Sequence, residues 1–485
     1  MKKETNKTIY VIIEICLIIL SIFLFICGRI NGKFNVGLCG VLVALCANIL
    51  FCFQDFKSNF LFFFLQITLF TFQISRPFIG MCKRGEWWNE SSQQSDNIWF
   101  ALLLLLVTET ALYIGANIMK SLEEKLKNKV VKNMNMLKEL QTVSLLLFSL
   151  TIAFYLIEQF EPLFSIGIGN YLDYYTSFSS KLPGVFHTMA SFAKYSLCIF
   201  LATLPNKKST FVPLALNVFS TIPSLLIGMR NPTVLSLLFA LSYYLLRDYM
   251  IDEKKWIGKI EKILLTIATP LLIIFMGLYA YVRSGEKAMR EGFFSLIADF
   301  FYGQGVTFNV TTISYGYRLG IKQNPHINYT FGGFIDYIYR GSIGQKVFHT
   351  EALTSYNSEF NAHNSNSLSH ILSYLSMKEE YLEGHGRGSS YLIETWMDFG
   401  YIGVFIFSII IGMILIYMVY GFGKRVLLST IILVGLQNIF FIPRAEATGW
   451  LTFLIYVQFW FCIGVCYFGA YILKRVKSSV SIQKN

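Results

Sequence analysis

The chain alternates between long apolar runs and short polar gaps, and most of the runs have the length of a bilayer crossing. About twelve lie near residues 9–27, 34–53, 59–80, 98–119, 141–161, 186–204, 211–228, 232–249, 263–282, 401–420, 426–443 and 450–473. A helix needs roughly 20 apolar residues to cross about 30 Å of hydrocarbon. Lipid offers no hydrogen-bond partner to an open backbone, so these runs predict helices. The pair 211–228 and 232–249 is separated only by Met229, Arg230 and Asn231 and reads as a tight helical hairpin. One stretch breaks the pattern. Residues 283–400 are polar and rich in Gly, Asn, Ser and His, and loops of that length are uncommon and usually functional. Within it, 286–301 has helical periodicity and 368–375 reads as a short helix.

The expected fold is an all-α polytopic membrane protein. Residues 1–282 form the first nine spans, 283–400 a large extracytoplasmic loop of short helices, and 401–485 the last three spans and a tail. The opening run at 9–27 follows Lys2, Lys3 and Lys7. It is too long for a signal-peptide core and lacks a small-residue cleavage site, so it reads as a retained helix. Residues 120–140, with Lys120, Lys125, Lys127, Lys129 and Lys132, read as an amphipathic helix lying on anionic lipid.

Composition agrees with the pattern. The 485 residues are 54% hydrophobic and only 14% charged, against about 25% charged in soluble domains. Of nine cysteines, all but Cys82 fall in or at the ends of apolar runs, which leaves neither a disulfide framework nor a CxxC knuckle. The net charge of +12 reflects topology rather than nucleic acid. The short loops on the side of the amino terminus carry 23 Lys and Arg, and those opposite carry eight. The positive-inside rule therefore places both termini in the cytoplasm and residues 283–400 outside.

Four groups of residues are candidates for chemistry. In Gly228-Met229-Arg230-Asn231-Pro232, Asn231 suits an N-cap and Pro232 the first helical turn. The helix N-terminus and Arg230 together favour a phosphate, although Arg230 also suits lipid headgroups. Arg283, Arg290, Arg318, Arg340, Arg387 and Arg444 form an outward arginine set in which Arg283 and Arg444 sit at helix ends. Any one of them alone reads first as a solvated or headgroup charge, and the group together is the better evidence.

Five of the six histidines, His326, His349, His363, His370 and His385, lie in the long loop. Their spacing matches no metal motif. His370, with His363 next, could act as a base near neutral pH or serve as a hydrogen-bonding histidine. Glu394 and Asp398 stand i, i+4 at the start of the tenth span. They could complement the helix dipole, orient an arginine or bind sugar hydroxyls.

The Gly228–Pro232 element, the late external loop, and the Gly-Ser-Ser-Tyr and Asp-Phe-Gly-Tyr-Ile-Gly patterns between Gly384 and Gly403 resemble the O-antigen and capsule repeat-unit polymerases, the Wzy family. The resemblance implies a GT-C-like fold related to O-antigen ligases. It also implies transfer of a growing glycan from undecaprenyl diphosphate to a newly flipped lipid-linked repeat unit, with no cofactor. A flippase and a chain-length regulator would be its partners in the plasma membrane. Arg230, Arg283 and Arg444 would hold diphosphate, with Arg340 and Arg387 in reserve and His370 as base. An O-antigen-ligase-like transferase, a lipid-linked oligosaccharide transporter and a scaffolding protein are the competing readings. A transporter keeps its functional charges near the bilayer midplane, where this chain has only Glu14, Glu109 and Lys194.

Overall fold

A computed structural model describes residues 2–84, 87, 95–126, 136–169, 171–250, 255–284 and 293–483. Every regular element among them is helical, and ten helices are long and apolar enough to cross a membrane. Two further expected spans are also helices, Asn231–Tyr249 and Lys259–Ser284, but are not among the ten. The first carries Ser236, Ser242, Tyr243, Tyr244, Arg247 and Asp248, which lower its hydropathy. Lys120 belongs to the long helix Ser95–Leu126 rather than to a separate surface helix, and residues 127–135 lie outside the described set.

The chain divides into two compact units. One comprises Met1–Leu126, Lys259–Tyr420 and Phe440–Gly449. The other comprises Lys127–Gly258, Gly421–Ile439 and Trp450–Asn485.

In the first unit, aromatic edges knit the spans together. Phe51 meets Phe62 at 5.6 Å and Tyr113 at 6.0 Å between centroids. Helix Ser95–Leu126 approaches residue 409 so closely that a Cβ on Gly115 would stand 2.1 Å from the Ile409 carbonyl oxygen. Small residues allow such contact where lipid supplies no hydrophobic drive between helices. Polar groups within the spans find partners: Tyr113 and Gln54 donate to Glu14, and Asn48 Nδ2 donates to Glu109 Oε2 at 2.6 Å. The third expected span carries a π-helical turn, Phe70–Ile74, between Phe56–Leu69 and Ser75–Arg84. That turn presents Gln73, which is fully buried.

The main departure from expectation is at Gly400. The run Tyr391–Gly421 is not one straight helix, because Gly400 has φ +64° and ψ −160°. The Tyr391 ring lies 5.8 Å from that of Phe407, and the Cβ position of Gly403 is 3.0 Å from the Thr395 carbonyl. In a straight helix residues 391 and 407 would be about 24 Å apart. Residues 391–399 therefore fold back along 401–408 as a re-entrant helix. Irregular backbone at this depth is tolerated where protein surrounds it, and Tyr391, Leu392 and Ile393 are fully buried. Thus Glu394 and Asp398 stand on the returning arm, not at the head of the crossing helix.

In the second unit, Leu137–Ile166 packs along Gly184–Ala202, with Val457–Gln483 and Val426–Leu436 beside them. Gln437 Nε2 donates to Cys198 Sγ at 3.3 Å. The hairpin expectation is met by Lys207–Phe219 and Asn231–Tyr249, which contact each other. The segment 449–455 is a 3-10 turn and precedes the last helix instead of opening it.

Candidate active site

The long loop is ordered around carboxylates that grip backbone. Asp398 accepts from the backbone N–H groups of Tyr329 (3.2 Å) and Thr330 (2.6 Å) and from Thr330 Oγ1 (2.6 Å). Asp336 accepts from the Asn366 N–H at 2.9 Å and from Asn366 Nδ2 at 2.7 Å. Glu394 is fully buried. It accepts from Ser389 Oγ at 2.6 Å and from the Ala447 N–H at 2.7 Å. These groups thus bind chain donors; among the described residues neither Glu394 nor Asp398 orients an arginine. These carboxyl oxygens, each accepting from a backbone N–H, hold three stretches together, 328–336, 365–367 and 444–448.

The re-entrant helix is approached by a glycine-rich run without regular structure. Gly384 and Gly388 have φ +104° and +78°, a region open to glycine with little steric cost. Along this run the Arg387 N–H donates to Ser373 Oγ (2.9 Å) and Arg387 Nε to Ser376 Oγ (2.6 Å). Ser390 then caps the returning helix, its Oγ accepting from the Leu392 N–H at 3.4 Å. Gln73 Nε2 reaches the same oxygen at 2.9 Å and the Pro443 carbonyl at 2.8 Å. Gln73 thereby ties the start of the re-entrant helix to the turn that carries Arg444.

His370 is held in the loop by a tyrosine. It stands on Leu368–Ser376, one residue longer than the expected helix. Its Nδ1 lies 2.8 Å from Tyr381 Oη, which is also 3.2 Å from the Ser358 carbonyl. A carbonyl can only accept. When the single phenol proton goes to Ser358, His370 Nδ1 donates to Tyr381 and Nε2 is left with the lone pair. Burial lowers the pKa of His370, which keeps the ring neutral near pH 7. Burial pushes that of Tyr381 up to about 12, so the phenol stays protonated. His363 is exposed, with its ring edge against Tyr374 at 5.2 Å.

Arg444 is half-buried above the Phe72 ring at 5.6 Å, and its Nη1 donates to Gln304 Oε1 at 3.2 Å. Two residues on, Glu446 Oε1 accepts from Ser367 Oγ at 3.3 Å. Ser367 is the N-cap residue of the helix that carries His370, so the turn of Arg444 and the helix of His370 are linked through one hydrogen bond. Burial raises the pKa of Glu446, and the nearby Asp336 charge adds to it. Sequence reasoning passed over Glu446 and Gln73. The first sits in the polar gap Arg444-Ala445-Glu446-Ala447-Thr448 between apolar runs, a signal that was readable.

Other expected site residues are placed differently. Arg340 braces the loop: Nη1 donates to the Glu351 carbonyl at 3.2 Å and Nη2 to the Asn364 carbonyl at 3.3 Å. Arg283 is in the last turn of Lys259–Ser284, and its side chain lies outside the described residues, as does Arg290. Arg230 belongs to the second unit. There Arg230 itself holds the cap position of Asn231–Tyr249 and Asn231 is the first helical residue, with no side-chain cap bond. Gly228, with φ +125°, is the C-cap of the preceding helix Ile222–Ile227. Among the described residues no cluster of His, Cys, Asp and Glu could hold a metal ion.

No curated protein and no solved structure matches the chain. A family model described as O-antigen polysaccharide polymerase Wzy matches residues 12–476. That span contains the re-entrant helix, the loop carboxylates, His370 and Arg444 alike, and the chain belongs to the O-antigen polysaccharide polymerase Wzy family.

Proposed function

We propose that this membrane polymerase extends an O-antigen or capsular glycan by moving the growing chain from undecaprenyl diphosphate onto a lipid-linked repeat unit. The family membership supports polymerisation of repeat units. The observation that carries the finer reading is the Ser367–Glu446 link, which tethers the helix of a neutral histidine to the turn of Arg444.

In this reading His370 Nε2 takes the proton of an acceptor sugar hydroxyl. The freed oxygen attacks the anomeric carbon of the donor, and the bond to diphosphate breaks with its electron pair. Arg444 and Arg283 stabilise the charge that develops on the diphosphate, an electrostatic role for which planar guanidinium forks are suited; Arg230, within the second unit, offers the same kind of fork to a lipid diphosphate. Glu394 and Asp398 hold the sugar-binding loop in shape. Arg340, Arg387 and His363 contribute to substrate binding, and Asn231 does so within the second unit.

The Lys and Arg excess on the side of the termini supports a plasma-membrane orientation with both ends cytoplasmic and residues 283–400 outside. A flippase would then supply the repeat units and a chain-length regulator would limit the product. A GT-C-like arrangement of the spans fits this chemistry.

The test is restoration of the gene in cells lacking their native polymerase. A ladder of polymer lengths is expected from the intact chain. Arg230→Ala, Arg283→Ala and Arg444→Ala should each leave single repeat units on lipid at unchanged protein level. Normal ladders from all three variants would refute the diphosphate clamp. Repeat units stranded on the inner leaflet would point to a transporter, and transfer of single units to a different acceptor to a ligase.

A further inference from the structure

The sixth histidine, His187, lies outside the long loop and within the second unit. It stands near the start of Gly184–Ala202, the end that the proposed orientation puts outside. Its Nδ1 is 2.7 Å from Glu158 Oε1 on Leu137–Ile166, and its Nε2 is 3.3 Å from Ser180 Oγ. Ser180 donates to Glu161 Oε2 at 2.6 Å, and the Lys181 N–H to Glu161 Oε1 at 2.7 Å. These bonds pin the connection between the two helices onto their ends. They leave the pair itself open, with 40% of the His187 side chain and 28% of that of Glu158 exposed.

Aromatic rings gather on the same rim. The short helix Tyr171–Thr176 carries Tyr171, Tyr174 and Tyr175, and Phe178 follows it. Tyr175 has its centroid 5.1 Å from that of Tyr171 and 5.0 Å from that of Tyr174, and Tyr174 stacks on Phe178 at 5.6 Å. Burial raises the pKa of Tyr174 and the Glu158 charge adds to it, so the phenol lies in the field of that carboxylate. Tyr175 is 50% exposed, and its hydroxyl reaches Met229 Sδ at 3.7 Å. The rings therefore border the Gly228–Pro232 element, in which Arg230 follows Met229.

An interfacial aromatic belt would account for the rings alone, and a loop clamp for the histidine pair alone. Neither accounts for the two together on one exposed rim. A saccharide presents an apolar C–H face and hydroxyls that both donate and accept. An aromatic face suits the first, and a carboxylate, an imidazole and a phenol side by side suit the second.

We propose that this rim of the second unit is a saccharide-binding site, where Tyr174 and Tyr175 offer ring faces and Glu158, His187 and the Tyr174 hydroxyl bond the sugar hydroxyls. The inference rests on the polymerase reading above for its occupant, a repeat unit of the glycan, whose carrier diphosphate is offered the fork of Arg230.

Saturation-transfer NMR on the full chain in lipid nanodiscs tests this. The probe is the single repeat-unit oligosaccharide, released by mild acid from the lipid of cells lacking the polymerase. The unaltered chain is expected to bind it, and Tyr175→Ala and Glu158→Gln each to weaken binding by about tenfold, the worth of one lost contact to a charged group or ring. Undiminished binding in both variants overturns the proposal, as does failure of the unaltered chain to bind the probe. Should Glu158→Gln fail to fold, Tyr175→Ala, at a half-exposed position, still decides. The ladder in cells judges the polymerase reading separately. A ladder with undiminished binding in the variants sinks the site and leaves that reading standing, whereas weakened binding in variants of a chain that builds no ladder keeps the site and removes the reading.

Discussion

The Tyr391 ring lies tilted 5.8 Å from that of Phe407, although the two stand in what the sequence presents as a single helical run. The contact means that the chain enters the spanning layer at Ser390, returns to Gly400, and only then crosses. The loop and the membrane helices are thereby one construction, with the glycine-rich approach, the capping Ser390 and the buried Glu394 all serving the returning arm.

Proximity across the hairpin is directly measurable. In a background without native cysteines, Tyr391→Cys with Phe407→Cys is expected to cross-link with a short bifunctional reagent. A straight helix would hold the two about 24 Å apart. Absence of cross-linking in folded protein would falsify the re-entrant arrangement.

Gly400 should resist substitution. At φ +64° and ψ −160° the backbone lies in a region essentially reserved for glycine, where a side chain costs about 1–3 kcal/mol, and Gly400→Ala is expected to destabilise by that order. Its Cβ would meet nothing within 4 Å, so the cost is conformational and not a clash. Thermal unfolding in detergent should show a lowered midpoint; an unchanged one removes the claim of strain.

Asp398→Ala should loosen the loop without touching the spans. It strips the acceptor from two backbone N–H groups and one hydroxyl, and an unsatisfied buried donor costs about 1–3 kcal/mol. Asp398→Asn keeps one carbonyl oxygen and should fall between. Faster hydrogen exchange at Tyr329 and Thr330 is the readout, and protection equal to that of the unaltered chain would contradict the assignment.

The pH profile separates a base from a structural histidine. Because burial lowers the His370 pKa from its ordinary 6.5, the deprotonated ring persists as pH drops. The acid limb of kcat/KM is therefore expected below pH 6.5, with activity lost as pH falls through that lowered value. His370→Gln should reduce kcat by about 10²–10⁴-fold, the usual worth of general base catalysis, and abolish the limb. A variant retaining both rate and limb would leave His370 a hydrogen-bonding residue only.

Much of the molecule was legible in its residues. Apolar runs near the length of a bilayer announce helices because lipid leaves the backbone no other way to satisfy itself, and the helix at residues 368–376 followed from local periodicity. The histidine of the loop and Arg444 could be singled out because charged and titratable side chains are rare against that background. What pattern could not supply was direction and partnership. Gly400 was visible in Asp398-Phe399-Gly400-Tyr401, yet apolar residues on both sides read alike whether the helix continues or doubles back. Glu394 and Asp398 looked free for arginine or sugar because their actual donors, the N–H groups of Ala447, Tyr329 and Thr330, are backbone atoms that every sequence possesses. Local chemistry determined the helices and nominated the residues. Only the tertiary structure decided which groups they bind, since hydrogen bonds between segments far apart in the chain depend on the backbone reversal that brings those segments together.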